Sequence, residues 1–232
     1  MAIVLAAGQG KRMCSEVPKQ YLLIEEKPVL YYSLKAFQDS FVDEIILVTA
    51  ESEIEYCKAQ IVQKYSFDKV TCMVVGGKER YHSVYNGIMA LKGGCDYIFI
   101  HDGARPFLTQ KILNQAYICV RRHDACVVGM PVKDTIKIVD ADGFAASTPD
   151  RNRVWMMQTP QVFSFSLIKK AYSLLIEREK SILEENIRIT DDAMVVETLT
   201  DRKVKMVEGS YENIKITTPE DLIIAEAFLK KQ

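Results

Sequence analysis

Hydrophobic and polar positions follow two alternating patterns over the first half of the chain. Short runs rich in β-branched residues predict buried strands at 2–5, 44–49, 70–75, 97–100 and 125–129. Apolar residues spaced three and four apart predict helices at 29–37, 54–65, 79–91 and 109–122. This alternation is typical of a sheet whose two faces are both covered by helices. We therefore predict an α/β fold built on a doubly wound, mainly parallel sheet.

The pattern changes after Pro131. Two short extended runs at 135–139 and 154–158 flank a polar turn, which indicates a protruding β-arm. Helical spacing returns at 165–176, Thr190-Asp191-Asp192 is typical of a helix start, and strands are predicted at 203–207 and 213–216. Thr218, followed by Pro219 and two acids, predicts the start of a C-terminal helix. We expect one domain over residues 1–232, with the arm at about 132–160.

Charge and cysteine content narrow the possible functions. The 30 basic and 31 acidic side chains nearly balance, so we expect neither nucleic-acid nor membrane-surface binding, and any anion site must be a local cluster. We expect no membrane span, since no apolar run approaches the roughly 20 residues that one needs. The six cysteines are scattered without CxxC spacing, which favours reduced thiols over a zinc site. With no signal-peptide pattern at the N-terminus, these features predict a cytoplasmic protein.

A glycine-containing loop follows the first predicted strand. Its sequence is LAAGQGKRM, and PKQ follows a few residues later. Small residues allow backbone N–H groups to approach a polyphosphate, while Arg12 and Lys19 add positive charge. The loop matches neither the dinucleotide-binding GxGxxG pattern nor the P-loop pattern, which argues against a dehydrogenase. Without the two cations, it could equally be a tight strand-to-helix connection.

A second loop, GGKER followed by Ser83, also joins a strand to a helix. It could be an ordinary capped turn, or Gly77 and Ser83 could contact the edge of a base. Ligands of parallel sheets bind at the carboxyl ends of the strands, so both glycine loops are expected to line one crevice.

A third loop, HDGARP, follows the strand at 97–100. Asp102 could hold Mg²⁺ there, although an isolated Asp more often forms a turn or a helix cap. Arg105 could contact a phosphate or form a surface ion pair. We interpret His101 as a structural, hydrogen-bonding histidine rather than a catalytic base.

Polar residues of the arm suggest a phosphate site. Thr135, Arg151 and Thr159 offer two hydroxyls and a guanidinium, which suit a phosphomonoester, although they could also be ordinary surface residues. Lys215, shortly before the last helix, could be another phosphate ligand or a solvated lysine.

Taken in order, these motifs resemble the 2-C-methyl-D-erythritol 4-phosphate cytidylyltransferase family of the non-mevalonate isoprenoid pathway. The resemblance extends over essentially the whole chain and rests on these segments: LAAGQGKRM, PKQYL, GGKERYHSV, HDGARPF, PVKDTIK, QTPQVF, ITDDA and VEGSYENIKITTPEDL. It implies a Rossmann-like nucleotidyltransferase fold whose β-arm interlocks two subunits in a homodimer. The implied reaction is Mg²⁺-dependent transfer of CMP from CTP to 2-C-methyl-D-erythritol 4-phosphate.

The resemblance also implies roles for individual residues. The residues expected to bind CTP are Ala6, Ala7, Gly8, Gly10, Gly77, Ser83 and Asp102, with Asp102 also beside the metal. Arg12 and Lys19 are expected to stabilise charge on the triphosphate and, with Arg151 and Lys215, to be catalytic. The residues expected to hold the sugar phosphate are Arg105, Thr135, Arg151, Thr159 and Lys215, with the arm supplied by the partner subunit.

Other readings keep the fold but change the function. Ribitol-5-phosphate cytidylyltransferase would use the same donor with a different acceptor, and a related nucleotidyltransferase would use another base. An inactive binding module on this fold is disfavoured by the retained charges of Arg12, Lys19, Asp102, Arg151 and Lys215. The arm sequence favours the methylerythritol acceptor over ribitol.

Overall fold

Alternating apolar residues place the central sheet between two layers of helices. The computed structural model describes residues 1–8, 10, 13, 17–91 and 93–231. In β1 (Ala2–Leu5), Ala2 and Val4 point into one apolar core and Ile3 points into the other. Because successive strand residues face opposite sides, one short apolar run contributes to both cores.

Seven strands form the central sheet. Besides β1, they are β4 (Ile45–Thr49), β5 (Val70–Val75), β6 (Tyr97–Asp102), β7 (Ala125–Pro131), β10 (Trp155–Ser164) and β11 (Lys205–Glu208). Their order across the sheet is β11-β7-β10-β6-β1-β4-β5. Neighbouring strands are parallel except that β10 runs antiparallel to both β6 and β7. The prediction of a mainly parallel, doubly wound sheet is confirmed.

Helices pack on both faces of this sheet. They are α1 (Val29–Gln38), α2 (Ile54–Cys57), α3 (Arg80–Met89), α4 (Gln110–His123), α5 (Phe165–Glu177), α6 (Glu179–Glu184), α7 (Asp192–Leu199) and α8 (Pro219–Leu229). Buried residues of α1, α2 and α4 join the core on one face, and those of α3, α5, α6 and α7 join the core on the other. Among the described residues, no helix is long and apolar enough to cross a bilayer.

Local signals explain where several helices begin. Thr109 caps α4 by accepting a hydrogen bond from the backbone N–H of Ile112, and Asp191 caps α7 by accepting one from Met194. Thr218 and Asp221 form a reciprocal capping box at the start of α8, where Pro219 takes the first helical position.

Three predicted elements differ from the structure. The helix expected at 54–65 is α-helical only through Cys57 and continues as a π-helix over Lys58–Gln63. The strand expected at 213–216 is wrong, because Asn213 turns its side-chain amide inward to donate to the Thr159 carbonyl (2.9 Å). The segment at 154–158 belongs mostly to β10 of the central sheet rather than pairing with 135–139.

Two small hairpins complete the fold. One joins β2 (Leu23–Ile24) to β3 (Lys27–Pro28). The other joins β8 (Ile138–Val139) to β9 (Ala145–Ser147) and forms the outer part of the predicted arm segment. Its exposed apolar side chains are Ile138 (53%), Val139 (59%) and Phe144 (73%). Large apolar side chains exposed this far on a two-stranded hairpin are typical of a surface that another chain covers.

Candidate active site

A cavity of about 740 Å³ opens at the carboxyl ends of β1, β5 and β6. Of the residues predicted to bind or transfer the nucleotide, nine line it: Ala6, Ala7, Gly8, Gly10, Lys19, Gly77, Ser83, Asp102 and Lys215. Arg12 lies outside the described residues. Thr135, Arg151, Arg105 and Thr159 lie outside the cavity lining. The parallel strands thus bring most of the predicted nucleotide residues to one edge of the sheet.

The glycine loop forms one wall of this cavity. Gly10 has a φ of 59°, a backbone conformation that glycine adopts without strain. A Cβ atom at Gly10 would lie 3.2 Å from a side-chain carbon of Lys19, so the lysine stem lies directly over the glycine. The loop therefore needs a residue without a side chain where it meets Lys19.

The GGKER loop, residues 76–80, packs tightly against the glycine loop. A Cβ atom at Gly76 would lie 2.4 Å from the Cβ of Ala7, and one at Gly77 would lie 2.2 Å from the Cβ of His82. The backbone N–H of Gly77 donates to the Ser83 hydroxyl (3.0 Å). Both glycines are thus required by close contacts, and the loop's geometry is fixed by its own hydrogen bond.

Asp102 lies at the centre of a charged cluster on the cavity wall. One carboxylate oxygen accepts from Arg80 Nε (3.2 Å), and the other pairs with Lys215 Nζ (2.7 Å). Burial opposes ionisation of Asp102, but Arg80 and Lys215 outweigh it and hold its pKa well below the usual range. Asp102 is therefore an anion at neutral pH.

Arg80, which lines the cavity, and Asp192, which pairs with it, belong to the charged cluster around Asp102 but were not predicted from the sequence. The guanidinium of Arg80 donates two 2.8 Å hydrogen bonds to the fully buried carboxylate of Asp192, and Tyr172 donates a third from its hydroxyl. Arg80 thus links α7 to Asp102 across the sheet face. Both residues stand in the quoted motifs GGKER and ITDDA, but no local pattern indicates that they pair.

A hydrogen-bonded chain beneath the site uses His101 and Thr159. The Thr159 hydroxyl accepts from the Asp102 backbone N–H (3.1 Å) and lies 2.9 Å from His101 Nδ1. Since His101 Nε2 lies 3.2 Å from the carbonyl of Arg105, Nε2 must carry the proton and Nδ1 must accept from Thr159. Both ring nitrogens are satisfied inside the protein, as a structural histidine requires.

The buried ring of His101 predicts a pH dependence of stability. Burial lowers the pKa of His101 to about 4, from 6.5 in the unfolded chain. Between these values the unfolded chain binds the proton and the native one does not, so stability falls as the pH drops. We expect this residue to contribute a slope of about 1.4 kcal/mol per pH unit in urea unfolding across that window.

Two variants show whether this slope of unfolding free energy against pH comes from His101. His101→Gln should lower it, whereas His123→Gln, at an exposed position just before β7, should leave it unchanged. An equal slope in wild type and His101→Gln would exclude a neutral, buried His101.

Arg105 and the arm residues have other surroundings. Arg105 donates to the carbonyls of Asn213 (2.7 Å) and Met157 (3.3 Å), and its Nε is buried without a hydrogen-bond partner among the described residues. Burial lowers its pKa. Thr135 and Arg151 are exposed on the arm segment, where Arg151 donates to the Lys133 carbonyl at 3.5 Å. Their predicted role in binding the sugar phosphate stays a prediction.

The described residues contain no group of three or more His, Cys, Asp or Glu side chains that could enclose a metal ion. Among the described residues that line the cavity, the carboxylates are those of Glu79 and Asp102, and Asp102 pairs with Lys215. One carboxylate with substrate phosphates is a common way to hold Mg²⁺, so this donor set fits a metal that arrives with a nucleotide.

Comparisons with known proteins agree with this geometry. The family model for 2-C-methyl-D-erythritol 4-phosphate cytidylyltransferase matches residues 1–231. Proteins of that name from Lachnospira eligens and Lachnoclostridium phytofermentans are 54% and 52% identical, each over 99% of this chain and 98% and 96% of their own lengths. The crystal structure of 4-diphosphocytidyl-2C-methyl-D-erythritol synthase from Anaerococcus prevotii is 34% identical, with a TM-score of 0.83 over 99% of this chain and 95% of its own.

Proposed function

Since the chain belongs to the 2-C-methyl-D-erythritol 4-phosphate cytidylyltransferase family, we propose that the cavity at the strand ends is where it transfers CMP. The donor is CTP and the acceptor is the phosphate of 2-C-methyl-D-erythritol 4-phosphate, in a step of isoprenoid precursor biosynthesis. One observation carries the assignment to this cavity: the glycine loop, Lys19, Asp102 and Lys215 line the same space.

The reaction needs positioning and charge neutralisation rather than a covalent intermediate. A phosphate oxygen of the acceptor attacks the α-phosphorus of CTP in line, and the bond from that phosphorus to the bridging oxygen breaks, releasing pyrophosphate. Two anions must meet in this step, so cations around the cavity lower the barrier. The acceptor phosphate supplies its own nucleophilic oxygen, and no side chain has to activate it.

At the nucleotide end, backbone groups of Ala6, Ala7, Gly8 and Gly10 would approach the phosphates of CTP. Lys19, whose stem lies over Gly10, would neutralise charge on the triphosphate. The predicted role of Arg12 in the same task stays a prediction, since it lies outside the described residues.

At the base end, Gly77 and Ser83 would face cytosine. The Gly77–Ser83 hydrogen bond and the close approach of Gly76 to Ala7 support this role, since they hold the GGKER loop firmly beside the glycine loop. A preformed loop spends little binding energy on ordering when the nucleotide arrives.

At the acceptor end, Lys215 would exchange part of its ion pair with Asp102 for the sugar phosphate. Arg105 would add positive charge and would brace the carbonyl of Asn213, two residues before Lys215. Thr159, whose hydroxyl accepts from the Asp102 amide and donates to His101, would hold that wall in place, and its own contact with the acceptor stays a prediction.

Mg²⁺ or another divalent cation is part of the proposal. Asp102 would hold it together with the CTP phosphates, and the ion would supply charge neutralisation when bound. A cytoplasmic location also belongs to the proposal, supported by free thiols at the described cysteines 57, 72, 95, 119 and 126.

The experiment that tests the function measures pyrophosphate release with CTP and Mg²⁺, using 2-C-methyl-D-erythritol 4-phosphate and ribitol 5-phosphate as separate acceptors. Fast release with the methylerythritol phosphate and little with ribitol phosphate supports the proposal. Preference for ribitol phosphate would overturn the acceptor while keeping the donor. Folded protein that fails to bind CTP would overturn the assignment of the cavity.

A homodimer with shared sites is the last part of the proposal. The exposed arm residues Thr135 and Arg151, and the exposed apolar side chains of the β8–β9 hairpin, support an arm that docks on a second copy. In that arrangement the arm of one subunit would complete the acceptor site of the other.

Subunit mixing provides a prediction for this arrangement. We expect Lys19→Ala and Arg151→Ala homodimers each to be nearly inactive, and co-refolded mixtures to recover about a quarter of wild-type activity. The recovery arises because half of the dimers are mixed, and each mixed dimer has one site without a substitution. Mixtures no more active than the average of the two homodimers, or a monomer by sedimentation at micromolar concentration, would contradict shared sites.

A further inference from the structure

Lys19 stands on a short 3₁₀ turn, Lys19–Tyr21, whose other two residues are buried. Gln20 is 2% exposed and Tyr21 is 6% exposed, so the turn is anchored by the two residues that follow the lysine. Whatever holds Gln20 and Tyr21 therefore fixes where Lys19 enters the cavity.

Gln20 connects this turn to the glycine loop. Its side-chain Nε2 donates to the backbone carbonyl of Ala6 (2.7 Å), at the base of the loop that lines the cavity. The same nitrogen donates to Glu53 Oε2 (3.2 Å). One amide group thus fixes the distance between the loop that would carry the phosphates and the turn that carries Lys19.

Tyr21 is held by the same carboxylate. Its hydroxyl donates to Glu53 Oε2 (3.0 Å) and lies 3.2 Å from the hydroxyl of Thr49, which itself reaches Glu53 Oε2 at 3.4 Å. Burial raises the pKa of Tyr21, so the hydroxyl stays protonated and keeps its donor. One oxygen of Glu53 thus accepts from Gln20 and Tyr21, the two residues that follow Lys19, and from Thr49, the last residue of β4.

Glu53 stands outside the cavity lining and outside every motif singled out in the sequence. It ends a 3₁₀ turn, Glu51–Glu53, that follows β4, and its side chain is half-buried. Glu53 precedes α2 but makes no side-chain cap hydrogen bond there, so its carboxylate is directed to Gln20, Tyr21 and Thr49 instead. Three donors converge on this carboxylate, and two of them, Gln20 and Tyr21, directly follow the lysine on its turn, which points to a positioning task.

We propose that Glu53 is a positioning residue of the transfer reaction, which holds the Lys19 turn against the glycine loop through Gln20 and Tyr21. Glu53 does not touch the substrates. Its effect passes through the placement of the Lys19 ammonium relative to the CTP phosphates. The proposal rests on the role given to Lys19 under the proposed function.

A positioning role makes a specific kinetic prediction for Glu53→Ala. Displacing a charge-stabilising group by a fraction of an ångström lowers the rate more than it lowers binding, so we expect kcat to fall about 10-fold. The KM for 2-C-methyl-D-erythritol 4-phosphate should change by less than about 2-fold, because Glu53 lies outside the cavity lining. Glu53→Gln retains an acceptor oxygen and should recover kcat to within about 3-fold of wild type.

The decisive measurement repeats Glu53→Ala in a Lys19→Ala background. If Glu53 acts through Lys19, removing it there should change kcat by less than about 2-fold. The matched control is Glu51→Ala, an exposed acid of the same turn, which should turn over like wild type. A general loss of folding would lower kcat in both backgrounds, and urea unfolding of each variant separates that case.

The outcomes distinguish the two proposals. Suppose that Lys19→Ala lowers kcat as expected. If Glu53→Ala then has the kcat of wild type, or lowers kcat equally in the wild-type and Lys19→Ala backgrounds, the role of Glu53 is overturned and the proposed function stands. A Lys19→Ala variant that turns over like wild type would overturn the role of Lys19, and with it the role of Glu53. The positioning role is established if Glu53→Ala lowers kcat in the wild-type background but not in the Lys19→Ala background, and if Glu53→Gln recovers kcat.

Discussion

Replacing Lys19 with alanine is expected to lower kcat for CMP transfer by roughly 10²–10³, the scale on which one charge-stabilising donor contributes to a polar transition state. Lys19 lines the cavity, and its stem lies over Gly10 of the glycine loop. There it can approach negative charge that increases as the acceptor phosphate and the triphosphate come together. Because this charge is larger in the transition state than in bound CTP, the loss should appear mainly in kcat.

Steady-state measurement of pyrophosphate release, with each substrate varied in turn, checks this expectation. The KM for CTP should change less than kcat, since the neighbouring backbone groups still bind the phosphates. Lys19→Arg keeps the positive charge and should retain more activity than the alanine variant. Lys58→Ala, at an exposed helical position, is the control and should match wild type. An alanine variant within a factor of about 3 of wild type would show that Lys19 has a different role.

The layout of the fold could be predicted because its determinants are local. Runs such as 45–48 and 98–100 are continuously apolar and rich in β-branched residues, as strands buried on both faces are, and they formed strands where expected. Thr109 and Thr218 marked helix starts through side-chain caps that need only the next few residues. Asp102 could likewise be predicted at the carboxyl end of a strand, because the apolar run at 97–100 ends just before it.

What could not be predicted depends on contacts between distant segments. The side chain of Asn213 bonds to the backbone of Thr159, which keeps the segment at 213–216 out of the sheet despite its strand-like composition. The run after residue 154 belongs to β10, which lies in the central sheet because it pairs antiparallel with β6 on one side and with β7 on the other. Arg80 pairs with Asp192 across 112 positions, and no periodicity encodes such a pair.

The same limit applies to the candidate site. Glycines and cations after strands indicated where a nucleotide would bind, since the carboxyl ends of parallel strands converge. The residues that hold those groups in place, Glu53 and Asp192, act through side-chain hydrogen bonds that only the folded chain creates. Sequence motifs therefore located the groups on the cavity wall, and the structure was needed to find their supports.

Removing the carboxylate of Asp192 is expected to be the most destabilising of the changes considered, at about 3–5 kcal/mol for Asp192→Ala. Asp192 is fully buried and accepts hydrogen bonds from both terminal nitrogens of Arg80 and from the hydroxyl of Tyr172. Burial opposes the charge of Arg80, but Asp192 and Asp102 outweigh it and raise the guanidinium pKa well above its usual range. Without Asp192, that guanidinium stays charged and keeps one of its two carboxylate partners among the described residues, Asp102.

The free energy of unfolding in urea measures this effect, and three variants make it specific. Tyr172→Phe removes one hydrogen bond to a charged group and should cost about 1.5–3 kcal/mol, less than Asp192→Ala. Asp201→Ala, an exposed acid just beyond the other end of α7, should change stability by less than about 0.5 kcal/mol.

Arg80→Met combined with Asp192→Leu replaces the ion pair by apolar groups and should recover much of the lost stability. That double variant should still transfer CMP poorly, because Asp102 has then lost the guanidinium that orients it. A cost below about 1 kcal/mol for Asp192→Ala would mean that the Arg80–Asp192 pair does not anchor α7 to the site.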